Sequence, residues 1–179
     1  MSLRQKKSKL LSENKKSKFY SIYAYAHNNA VELLSEAEIL FEKERCARAY
    51  FLAFTGLEEI SKSQLAADVW TGFIKEDDFW KHYTNHNRKI GRVRWASLDA
   101  KDYRDYEDER YVVIKIPSVK KRMKALYVDI KPSGISSPKD IISREETKSL
   151  IHTLRVAIDR IIIMKEYYGH RIGTKGFIK

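Results

Sequence analysis

Residues Arg45 to Lys62, Arg-Cys-Ala-Arg-Ala-Tyr-Phe-Leu-Ala-Phe-Thr-Gly-Leu-Glu-Glu-Ile-Ser-Lys, read as a helix that stays apolar almost all round and carries charge at its far end. Cys46, Ala49, Tyr50, Ala53, Leu57 and Ile60 fall at helical spacing on one face, while Phe51 and Leu65 put apolar surface on another. A helix apolar on more than one face needs neighbours on more than one side, so the chain must build a bundle around it. Glu58 and Lys62, four apart, are neighbours on the second face, flanked by Phe51 and Leu65. Two readings of the pair stay open. It is a surface ion pair worth about 0.3 kcal/mol, or it is partly buried, a state that costs several kcal/mol and is kept where further hydrogen bonds or a chemical task hold it. Glu59 points away from both faces and reads as solvated.

The rest of the chain supplies helices to pack against this one. Residues 1–17 read as a basic, flexible arm with some helical tendency. From Lys18 to Glu42, Phe19, Tyr23, Ala26, Ala30, Leu33, Ala37 and Leu40 repeat at alternating steps of four and three, which is a bundle seam, with Asn29 at its edge. No Gly or Pro marks the turn near Lys43 to Arg45; it is placed by the change of hydrophobic phase. The central helix continues to about Trp70, where Thr71-Gly72 predicts a stop. Asp77 or Asp78 is predicted to cap a third helix starting at Phe79, with Phe79, Tyr83, Ile90 and Val93 as its apolar register and His86 inward between Tyr83 and Ile90.

Beyond it, Asp99 to Glu109 concentrates acids among tyrosines and arginines with no histidine near, and reads as a solvated linker more readily than as a metal site. Tyr111 to Ile116 is β-prone without an obvious partner strand. Val119 to about Tyr127 is a short basic helix, and Lys131 to Lys139, with Pro132, Gly134 and Pro138, is a loop. Ser143-Arg-Glu-Glu146 is a capping box opening the last long helix, whose buried face is Leu150, Ile151, Leu154, Ile158, Ile161 and Ile162; His152 and Arg155 lie off its centre. These signals add up to an all-α, up-and-down helical bundle over 18–168, with a short irregular insert before the last helix and a loose basic tail over 169–179.

Charge narrows the class of partner. The net charge of +11 resides in two segments, residues 1–18 at net +6 and residues 79–98 at net +5, the latter with Lys81, Arg88, Lys89, Arg92 and Arg94 and no acid. A field concentrated in this way favours RNA, DNA or the ribosome as partner over a solvated basic surface. No apolar run, Ile161 to Met164 included, is long enough to span a bilayer and the N-terminus is polar, so no membrane association and a soluble, cytoplasmic protein are expected. The lone cysteine, Cys46, in an apolar register, reads as core; it makes no internal disulfide and no thiolate metal cluster. No ligand spacing suggests a metal, and no cofactor is expected.

His86 has two readings. A single histidine on an apolar face is commonly a hydrogen-bonded core residue. Here Asn87, Arg88 and Lys89 follow it, and a histidine beside cations is what phosphodiester chemistry needs.

Three pieces taken in order resemble the AbiV family of abortive-infection proteins, a branch of the HEPN superfamily. They are Asn29-Ala-Val-Glu-Leu-Leu with Ala47-Arg-Ala and Glu58-Glu-Ile-Ser-Lys62; Phe79-Trp-Lys running to His86-Asn-Arg-Lys89; and Lys124-Ala-Leu-Tyr-Val-Asp129 ahead of a proline-containing loop. The resemblance covers about residues 20–165. It implies a HEPN-like bundle, commonly a homodimer, acting in phage defence by arresting the infected cell, with a phage protein or a neutralising antitoxin as a further partner. Many HEPN proteins are metal-independent ribonucleases with Arg, four to six residues, then His. This chain departs from that signature: none of its histidines has an arginine at that distance, and Lys81 before His86 and Lys165 before His170 stand there instead. On a regular helix Lys81 lies about 140° round from His86.

The substitute constellation is His86 and Lys89 with Glu58 and Lys62. In it His86 is general base or acid, Lys89 and Lys62 stabilise phosphorane charge, Glu58 orients them, and Lys81, Arg88, Arg92 and Arg94 bind RNA. A metal-independent endoribonuclease or translation-arresting toxin is one expectation. A non-catalytic RNA- or ribosome-binding module, or a protein-interaction scaffold, is the other.

Overall fold

The computed structural model describes residues 3–72, 74–87 and 118–167, with side chains described over 18–72, 74–87 and 118–159. Helix α1 spans Leu3–Glu42 and α2 spans Cys46–Trp70. After them come α3 (Glu76–Tyr83), α4 (Val119–Leu126), a two-stranded antiparallel ribbon of β1 (Asp129–Lys131) and β2 (Gly134–Ser136), the single-turn α5 (Pro138–Ile141), and α6 (Arg144–Tyr167). The all-α architecture expected from the apolar periodicity is the one observed. Helix α1 begins at Leu3, well before Lys18, where the seam starts.

The seam of α1 meets α2 through small residues. Ala26, Ala30 and Ala37 are buried, as are Ala49 and Ala53 across from them, so the two helices approach closely. Their connection is a Schellman turn. Arg45 N–H donates to Leu40 O at 2.8 Å and Glu44 N–H to Phe41 O at 3.0 Å, with Glu44 at φ 59° in the left-handed position that glycine usually fills. This is why the turn carries no Gly or Pro signal, although it falls where the hydrophobic phase changes. Helix α2 ends as expected: Gly72 takes φ 80° and Thr71 N–H donates back to Ala67 O at 2.9 Å.

Tyr50, Phe54, Leu57 and Ile60 of α2 pack with Leu150, Ile151, Leu154 and Ile158 of α6 into the main core. Gly56 permits the closest approach there: a Cβ on it would stand 2.5 Å from Leu154 Cδ2. A second, smaller cluster at the far end joins Phe19, Leu65, Ala66 and Phe79, with Phe19 and Phe79 edge to face at 5.1 Å. The capping box holds, since Glu146 N–H donates to Ser143 Oγ at 3.2 Å and Ser143 N–H to Glu146 Oε2 at 3.3 Å. His152 and Arg155 are exposed on α6, and Arg155 pairs with Glu38 at 2.6 Å.

Three expectations are corrected. Helix α3 starts at Glu76, not Phe79; Asp77 and Asp78 lie in its first turn beside Glu76, where their charges face the positive end of the helix dipole, and neither caps it. It ends at Tyr83, so His86 is not part of its apolar register. The stretch 131–139 is not loop throughout, because β2 pairs with β1 (Ile130 opposite Ile135) and Ser137 N–H donates to Asp140 Oδ2 at 2.9 Å to start α5. Ile130 and Ile135 are each 75% exposed. Lys124 and Lys131 clasp Asp129 at 2.9 and 3.2 Å, and the hydrogen bond from Lys124, then that from Lys131, holds its carboxyl below the ordinary range. The acidic segment 99–109, the β-prone 111–116 and the tail 169–179 lie outside the described residues.

Candidate functional site

Glu58 sits in the middle of α2, on a helix that is apolar nearly all round, and is only 4% exposed. A carboxylate taken out of water in this way needs strong partners. Two side chains supply them. Arg122 reaches across from α4 and its Nη1 donates to Glu58 Oε2 at 2.9 Å; His86 lies just beyond α3 and its Nδ1 stands 2.6 Å from Glu58 Oε1. Arg122 is 15% exposed, and its guanidinium lies over the rings of Phe51 at 5.2 Å and Phe54 at 5.7 Å. The aromatic faces that flank the acid on α2 therefore also hold the cation that neutralises it. Among the described residues, Arg122 Nε is buried without a hydrogen-bond partner.

The geometry assigns the imidazole tautomer. A carboxylate only accepts, so Nδ1 carries the proton and donates it to Glu58 Oε1. The 3.2 Å approach of Arg122 Nη1 to His86 Nδ1 then joins two donors that converge on the same acid; it is a contact, not a third hydrogen bond. That leaves Nε2 as the ring nitrogen with a free lone pair, on a side chain that is 50% exposed. An imidazole oriented by a buried carboxylate, with a guanidinium alongside, can move a proton and stabilise an anion in one place.

The structure brings together only part of the constellation read from the sequence. His86 and Glu58 meet. Lys62 does not pair with Glu58; it pairs with Glu59, three residues back, because the Glu58 carboxylate is turned to His86 and Arg122. Glu59, expected to be solvated, is accordingly only 14% exposed. His86 is half in solvent rather than inward on an apolar face. Lys81 is exposed and pairs with Asp78 at 3.1 Å. Arg88, Lys89, Arg92 and Arg94 lie outside the described residues. Arg122 was missed. It sits in a run of basic residues, Lys120-Lys121-Arg122, and no sequence spacing ties residue 122 to residue 58.

A cleft of about 420 Å³ opens between α1, α2 and α3. Ile22, Ala26 and Phe79 line its apolar part, and Trp80 and Tyr83 its aromatic rim. Asn29, exposed at the edge of the α1 seam, lines it together with Glu59 and Lys62.

Among the described residues there is no group of three His, Cys, Asp or Glu side chains placed to hold a metal ion, and no helix long and apolar enough to cross a membrane. Compared with known proteins, the chain matches a family model, HEPN_AbiV, over residues 18–158. No curated protein and no solved structure matches it.

Proposed function

Because this chain belongs to the AbiV family of abortive-infection proteins, of HEPN type, we propose that it acts as a metal-independent endoribonuclease with Glu58, His86 and Arg122 at its centre. The observation that carries this reading is the 2.6 Å contact between Glu58 Oε1 and His86 Nδ1, which orients a half-exposed imidazole beside an arginine. Neutral His86 takes the proton of a ribose 2′-OH through Nε2 as that oxygen attacks the adjacent phosphorus. Arg122 stabilises the charge that builds on the phosphorane oxygens, and Glu58 stabilises the imidazolium that forms. The P–O5′ bond then breaks, leaving a 2′,3′-cyclic phosphate. In-line displacement puts the leaving 5′-oxygen on the far side from the base, so its proton comes from a second group. In this reading that group is His86 of a second copy across a homodimer interface, present there as the imidazolium and giving up its Nε2 proton. The basic segment containing Lys81, Arg88, Lys89, Arg92 and Arg94 holds the RNA backbone.

The test is total RNA incubated in chelator with wild type, His86→Ala and Glu58→Gln, beside RNA binding at two salt concentrations. The expected result is cleavage by wild type, its loss in both variants, and salt-sensitive binding in all three. Intact RNA with salt-sensitive binding by wild type overturns the nuclease and leaves a binding module that acts by occupancy, on RNA or the ribosome.

A further inference from the structure

The cleft lined by Trp80, Tyr83, Glu59 and Lys62 is not used by the chemistry above, and its composition is that of a base-binding pocket. We infer that it takes a guanine base of single-stranded RNA, an inference that rests on the ribonuclease reading for its biological substrate but on the cleft alone for its ligand.

The aromatic part is preset. Tyr83 stacks on buried Phe79 (5.8 Å, 20° between planes), and Trp80 is held by its indole N–H, which donates to Glu76 Oε1 at 3.3 Å. Trp80 and Tyr83 stand 5.6 Å apart at 80°, with Lys18 Nζ 5.2 Å over the Trp80 ring, so a planar base that displaces a lysine to lie flat on one ring meets the other edge-on. Both rings are exposed at the rim of a cleft whose volume of about 420 Å³ is ample for a base and its sugar.

The polar part selects the base. Glu59 offers two acceptor oxygens and Lys62 a donor next to them. Guanine alone among the four bases presents two adjacent N–H donors, N1 and N2, beside an acceptor, O6. Adenine offers one donor and one acceptor on that edge, cytosine one donor and two acceptors, and uracil a donor between two acceptors. In the free protein the carboxylate and the ammonium pair with each other, and Lys62 lies 5.7 Å above the Tyr83 ring. A guanine entering the cleft exchanges that pair for one bond set to each partner, which gives selectivity with modest affinity. Glu59 directly follows Glu58, and Tyr83 stands three residues before His86. The cleft is thus lined by residues close in sequence to the Glu58–His86 pair.

The test is isothermal titration of the four ribonucleoside 5′-monophosphates, equal in charge, into wild type, Glu59→Gln, Trp80→Ala and Trp80→Phe, with circular dichroism confirming the fold of each. The expected result is GMP bound at least tenfold tighter than the others by wild type. Glu59→Gln removes that preference, Trp80→Ala weakens all four, and Trp80→Phe restores most of the loss. Equal affinity for the four nucleotides, no binding by the folded wild type, or a GMP preference that survives Glu59→Gln overturns the inference. GMP preference in a protein that leaves RNA intact in chelator sinks the nuclease and keeps the cleft; cleavage without GMP binding does the reverse.

Discussion

Arg122 Nη1 lies 2.9 Å from Glu58 Oε2, although 64 residues separate the two in sequence, and the pair is almost entirely out of water. The attraction between them offsets the cost of putting a carboxylate into an apolar helix, so each is costly to leave alone. Arg122→Ala therefore lowers stability by about 3–5 kcal/mol, read as a lower urea midpoint at unchanged slope. Replacing both partners with apolar residues, Glu58→Leu with Arg122→Met, recovers most of the loss. Equal destabilisation by the single and double variants sinks this account.

Gly56 and Leu154 set a second close relationship. A Cβ at 56 meets Leu154 Cδ2 at 2.5 Å and Cδ1 at 3.2 Å, so both end methyls must move, and full burial of Leu154 leaves them little room to do so. Overpacking of this kind costs about 1–3 kcal/mol, against which alanine's helix propensity returns roughly 1 kcal/mol. Gly56→Ala is expected to be net destabilising, by about 1 kcal/mol. Combined with Leu154→Ala its effect falls below the sum of the two, which a double-mutant cycle measures.

Tyr50 gives a pH dependence. Burial, and secondarily the Glu146 carboxylate, push its phenol up to about 12 from 10.0. A pKa raised in the folded state contributes stability that is fully present below the unfolded value and is lost as pH rises through the folded one. The window is thus from 10.0 to about 12, and the stake is roughly 2–3 kcal/mol. Denaturation midpoints measured across that window are expected to fall less steeply in Tyr50→Phe than in wild type; parallel curves count against it.

Glu44 holds φ 59° in the turn between α1 and α2. A left-handed non-glycine residue costs about 1–2 kcal/mol, part of which glycine gives back through its freer unfolded chain. The Glu44 side chain is exposed, and its one ion pair, to Arg144, is 3.9 Å long. Glu44→Gly should raise the melting temperature by a few degrees, roughly what 0.5–1 kcal/mol gives; an unchanged or lower value counts against strain at this residue.

The fold was legible where a residue's role depends on its near neighbours. The steps of four and three from Phe19 to Leu40 placed the α1 seam, the apolar face from Ala49 to Ile60 placed α2 inside, and Ser143 with Glu146 placed the start of α6, since capping and periodicity act over one or two turns. The site was legible only in part. Glu58 and His86 stand out as a charge on an apolar helix and a histidine beside cations. Their contact closes a 28-residue separation, and Arg122 closes one of 64. Pairings of that range are set by how α3 and α4 dock on α2, which no local spacing encodes. Lys62 shows the opposite error: helical spacing allows it both Glu58 and Glu59, and the choice went to Glu59 because distant partners claimed Glu58.

The tight turn at Glu44 also bears on the order in which the protein acquires its parts. Helices α1 and α2 are joined by three residues and bury their small-residue faces on each other, so this pair can form before the later helices dock. In that pair Glu58 is already in its helix, while the segments that carry His86 and Arg122 are still undocked. A chain that forms this pair first has most of its first interface before its buried acid has either partner. The acid acquires its imidazole and guanidinium only when later segments dock, which needs the chain at least through residue 122.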